Sequence, residues 1–71
     1  MSVVKVIEII SEGASIEEAM KSAVKEAAKT VKEIKQVNVE HIEGLVENDQ
    51  ITKFRVNLKL SFLVKNNSHA Q

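Results

Sequence analysis

His41 and Glu43 stand two residues apart in a stretch that alternates apolar and polar side chains. That spacing puts an imidazole and a carboxylate on one face of a strand, where both are ligand types for a metal ion. Two ligands are too few for a structural or catalytic metal, and the chain has no cysteine to add a third. The other histidine, His69, falls in a polar C-terminal tail. A partly exposed structural histidine accounts for the same pattern. Glu47-Asn48-Asp49 offers oxygens of the kind calcium prefers, but it lacks the length and order of a calcium-binding loop, since the ion takes about 6–8 oxygens. A solvated turn explains it locally. A site built from symmetry copies leaves no local motif, so calcium stays open. Lys21, Lys25, Lys29 and Lys32 form a basic row at helical spacing, broken in charge by Glu26 and Glu33. They read as a solvated helix face, with a phosphate-bearing ligand as the functional alternative. No cysteine nucleophile, glycine-rich phosphate loop or recognisable Ser-His spacing is present, so the chain is not read as an enzyme.

The elements that must position these residues have to fit into 71 residues, enough for one domain. A core of that size is marginal alone and normally takes a disulfide, a metal or a partner subunit for support. With no cysteine, a homo-oligomer is the expected support. Ten basic and ten acidic residues cancel, which argues against nucleic acid as partner. No apolar run approaches the ~20 residues of a membrane span, and Met1–Ile10 does not have a signal-peptide layout. A cytoplasmic protein is expected.

Val3–Ile10 is rich in Val and Ile and predicts a first strand, apolar on both faces and therefore covered on both. Ser11–Ala14 is expected to connect it to a helix opened by Ser15, with Ser15 and Glu18 at capping-box spacing. The apolar stripe Ile16, Ala19, Met20, Ala23, Val24, Ala27, Val31 and Ile34 predicts that the helix runs to about Lys35. Val37 and Val39 begin a second strand whose phase changes at Ile42, which predicts a β-bulge near Glu40 or His41. Gly44 permits a bend there. Glu47-Asn48-Asp49-Gln50 predicts a turn. Phe54, Val56, Leu58, Leu60, Phe62 and Val64 alternate with Lys53, Arg55, Asn57, Lys59 and Ser61 in a long last strand. The order β-α-β-β makes strands one and two parallel in direction, and two and three a hairpin. An antiparallel sheet then requires strand three in the middle, giving the order 1-3-2 with the helix stripe on the Phe54–Val64 face. The expected fold class is α+β, one domain over residues 1–65, with a polar tail at 66–71.

Val4-Lys5-Val6-Ile7-Glu8-Ile9-Ile10, the Ser15 helix start with its Ala-rich turns, and Phe54-Arg55-Val56-Asn57-Leu58-Lys59-Leu60-Ser61-Phe62 together resemble the dodecin family over about residues 2–64. The resemblance implies a homododecameric hollow shell whose subunits fold their sheet around one helix. It also implies a flavin pocket. Flavin-binding members carry a stacking Trp where this chain has Gln36, followed in bacterial members by Phe, where it has Val37. In archaeal members a hydrogen-bonding Gln stands at the position of Arg55, and an Asp near the ribityl chain at that of His41. The bacterial Arg-Gly pair is replaced by Glu43-Gly44. Aromatic stacking contributes roughly 0.5–1.5 kcal/mol beyond buried area, and a two-fold sandwich loses it twice. The resemblance with these changes implies weak or lost flavin binding, with Gln36, Val37, His41 and Arg55 as the pocket positions. Arg55 can in principle stack on a ring or bind a phosphate. A Trp-less subgroup, the calcium dodecins, also carries Arg in the last strand, and the chain is more similar to it. The expected function is a non-catalytic shell that binds or buffers a small ligand, calcium among the candidates. The alternatives are flavin storage with a modified pocket, or a structural shell without a small ligand.

Overall fold

The computed structural model describes residues 3–64, so the tail expected over 66–71 lies outside the described residues. Strand β1 spans Val3–Gly13, helix α1 Ile16–Ala27, strand β2 Ile34–Glu47 and strand β3 Gln50–Val64. The three strands form one antiparallel sheet in the order β1-β3-β2. The expected β-α-β-β fold and strand order are therefore observed.

The period-two pattern of β3 sorts its side chains onto two faces. Val56, Leu58 and Leu60 are fully buried against Ala19, Ala23 and Ala27 of α1. Ile7 and Ile9 of β1 and Val37 and Val39 of β2 flank them in register. The alanines let the helix lie close to the sheet. Gly13 allows the same closeness at the helix start, where an added Cβ would stand 2.8 Å from the backbone nitrogen of Ala19. Ser15 is the N-cap, and its hydroxyl accepts the Glu18 N–H at 3.0 Å. The opposite face of β1 is not covered by the described residues, and Val4, Val6 and Ile10 remain 58%, 55% and 62% exposed.

Two boundaries differ from those expected. β1 continues through Ser11, Glu12 and Gly13 instead of stopping at Ile10, because these residues stay paired with Val56, Arg55 and Phe54. The helix ends at Ala27 instead of near Lys35. Backbone bonds from Lys29 N–H to Glu26 O and from Thr30 N–H to Ala27 O close its last turn at 3.2 and 3.1 Å. Beyond it, Thr30, Val31 and Ile34 are β-branched and resist helix. Glu33 turns the chain at a φ of 62°, and Ile34 opens β2 opposite Phe62. Val31 and Ile34 keep the helical phase by spacing alone, and Ile34 joins the core from a strand. Lys29 and Lys32 of the basic row accordingly lie beyond the helix, whose last turn carries Lys25, so the row is not one helix face.

β2 carries the expected bulge, since the register slips by one between Val39 and His41 and leaves Glu40 as the extra residue. Further shifts occur between Ile34 and Gln36 and between Leu45 and Val46. Asn48 and Asp49 both have positive φ, 52° and 64°, as a two-residue hairpin turn matched to strand twist requires. The turn read from composition is thus this hairpin. Gly44 has no positive φ and sits within the strand opposite Phe54.

Candidate ligand site on the open sheet face

Because β3 is central, its outward residues from Arg55 to Ser61 are each bracketed by one residue from each edge strand. Ser61 lies between Val6 and Gln36, Lys59 between Glu8 and Asn38, Asn57 between Ile10 and His41, and Arg55 between Glu12 and Glu43. The Glu40 bulge brings His41 and Glu43 to this face; without it their parity would turn them toward the helix. Ile10, His41, Glu43, Arg55 and Asn57 line a shallow cavity of about 280 Å³.

Electrostatics dominate one end of that cavity. Arg55 donates from Nε and Nη2 to Glu12 Oε2 at 3.0 and 2.9 Å. Lys53 Nζ approaches the other carboxylate oxygen, Oε1, at 3.1 Å. Glu43 Oε1 stands 3.8 Å from Arg55 Nη1 on the β2 side. The Arg55 hydrogen bonds, with the Lys53 ammonium next, hold the Glu12 carboxyl below the ordinary glutamate value. At the other end Asn57 Oδ1 is buried without a hydrogen-bond partner. An unsatisfied acceptor of this kind costs about 1–3 kcal/mol and marks a place where a donor would be stabilised.

Of the residues expected to form a pocket, His41 and Arg55 line this cavity together. Gln36 is on the same face but two rows away, opposite Ser61. Val37 is on the other side of the sheet, paired with Leu60 and packed against the core. Glu12, Ile10 and Asn57 were not singled out from sequence. Glu12 precedes Arg55 by 43 residues, and only the β1–β3 register brings them together. Among the described residues no three His, Asp or Glu side chains gather as a metal site. A flavin ring fits these residues poorly. The chain's two phenylalanines, Phe54 and Phe62, share the helix-side parity of β3, so among the described residues the open face offers no Phe, Tyr or Trp ring, and its one aromatic group is the small imidazole of His41. Among the described residues no helix is long and apolar enough to cross a membrane.

The fold and face define a class: a small α+β domain whose sheet holds one helix on one side and presents a polar cavity on the other. A family model described as Dodecin matches residues 3–65, and the chain belongs to that family. An arginine-to-alanine variant of T. thermophilus dodecin superposes with a TM-score of 0.86 at 22% identity, covering 93% of this chain and 100% of that one. Dodecin from Streptomyces coelicolor gives 0.85 at 24% identity, covering 92% and 94%. Dodecin from Streptomyces davaonensis gives 0.84 at 18% identity, covering 92% and 97%. At these identities the likeness is one of fold. No curated protein matches the chain significantly.

Proposed function

We propose that this chain is the subunit of a non-catalytic, cytoplasmic homododecameric shell that binds or buffers a small ligand, with flavin binding weak or lost. One observation carries the reading. Gln36, His41 and Arg55, three of the positions that depart from the flavin pattern, lie on the open sheet face, while the fourth, Val37, is apolar and packs against a core of the family fold. The polar departures gather on one face, and the frame is kept. Assembly is supported by the exposed Val4, Val6 and Ile10 on that face and by a core whose buried members, among the described residues, are three alanines, one valine and two leucines. The cavity volume falls at or below the ~300–1,000 Å³ of ligand pockets, as suits one subunit's share of a site closed by a second. The absent Trp and the Arg in the last strand favour the calcium dodecin subgroup. Calcium would then be held by oxygens from more than one subunit, since no ligand cluster forms within one. The ion pairs that occupy Arg55 favour a second reading, a structural shell without a small ligand.

Sedimentation and absorption of protein purified without stripping test the proposal together. The expected result is the mass of twelve chains with no flavin band. A monomer or dimer at micromolar concentration overturns the shell, and a stoichiometric flavin band overturns the loss of flavin. Calorimetry with calcium chloride separates the two readings: heat and a raised Tm support the calcium dodecin assignment.

A further inference from the structure

Arg55 is the strongest hydrogen-bond donor lining the cavity, yet its Nε–Nη2 edge, the edge that would grip an anion in a two-point contact, is already committed. Both donors of that edge go to one oxygen of Glu12, and the other oxygen of the same carboxylate holds Lys53. Glu43 flanks the remaining side of the guanidinium. The four groups sum to zero charge, so the cavity end that looks basic in sequence is neutral in the fold. We propose that Glu12 is the specificity-determining residue of this site: it excludes phosphate and carboxylate groups and restricts the ligand to one that is uncharged or cationic where it meets Arg55. The inference rests on the reading of the cavity as the ligand site, and it names the class of ligand that reading left open.

The physical reason is competition for the same donors. An incoming anion that took the Nε–Nη2 edge would have to break charge-assisted bonds to a carboxylate held in place by the sheet register, and one that approached Nη1 would meet Glu43; either way it would sit beside two carboxylates. It would gain no net positive field in return. An uncharged ligand meets no such barrier. Neutralising Glu12 reverses the balance. Glu12→Gln leaves Arg55 and Lys53 with a surplus of one positive charge over Glu43 and weakens the hold on the Nε and Nη2 donors, because an amide oxygen accepts without charge assistance.

Inorganic phosphate, titrated into the intact assembly and followed through the Arg55 Nε–H resonance, is the test. The unaltered protein is expected to show no saturable shift at millimolar phosphate. Glu12→Gln is expected to bind at least about tenfold tighter, the scale of one well-placed charge contact. The gain should vanish in the Glu12→Gln/Arg55→Gln double variant and be intermediate in Glu12→Asp, which keeps the charge but shortens its reach. Circular dichroism establishes that each variant is folded, and Glu12→Asp decides the matter if Glu12→Gln is not. Phosphate binding at Arg55 in the unaltered protein overturns the proposal, as does a folded Glu12→Gln with no gain. Failure of the ligand-site reading shows differently: no small molecule is retained by the unaltered protein, whatever Glu12→Gln does with phosphate.

Discussion

The two faces of the sheet are built from the same three strands and obey different rules. On the helix side, side chains are apolar, small where the helix approaches and fully enclosed at Val56, Leu58 and Leu60. On the open side, rows alternate between charged clusters and exposed aliphatics, and the interactions are ion pairs reaching across strands. The helix side carries the stability of the single subunit. The open side contributes little to it and is correspondingly free to vary in chemistry.

The largest effect should come from breaking the enclosed side. Leu58→Ala removes a side chain with no exposed surface, and about 2–5 kcal/mol of stability should be lost in denaturant unfolding. A loss well under that range would mean that the helix settles into the vacated volume. Next is the close approach of helix to sheet. Ala23→Leu adds three carbons where 2% of the residue is exposed, and about 1–3 kcal/mol should be lost through overpacking. The smallest effect belongs to the open face. Replacing Glu12 by Gln should change unfolding stability far less than either, because its ion pairs are solvent-exposed. Its signature is pH dependence. The Glu12 carboxyl is held low in the fold by Arg55 and Lys53, so its contribution is complete above the ordinary value of 4.5 and is lost as pH falls below it through the depressed one. The difference in Tm between the unaltered protein and Glu12→Gln should therefore hold near neutrality and close in acid. A difference that persists in acid would assign the effect to packing.

The same contrast explains what could be read from the residues in order. Period-two alternation in β3 and the phase change at Glu40 are local, and they were enough for the sheet order and the bulge. The Ser15 cap and the Asn48-Asp49 turn are likewise written in adjacent residues. The helix end was misplaced because Val31 and Ile34 satisfy the helical period while their β-branching and the Glu33 turn take the chain into β2. The cavity was half legible. His41 is marked by its type and Arg55 by the family resemblance, but Val37 shows its side chain to the core, and Gln36 is two rows removed. Glu12 looked like part of a connection. Its partnership with Arg55 depends on an eleven-pair register between β1 and β3, which no short window of sequence contains.

Gly13 joins the two faces. Its missing side chain lets the Ala19 backbone come within a distance that any Cβ would obstruct, and the residue beside it is Glu12. The tolerance of the strand end is thus set from behind, by the helix, while the carboxylate it carries acts in front. Elsewhere on the open face a lineage can exchange one side chain for another and leave the scaffold untouched. At this strand end the two histories are tied: a mutation that gave position 13 a side chain would push on the helix and at once move the carboxylate clasped to Arg55. The chemistry of the open face is thus constrained at a residue that does not line its cavity.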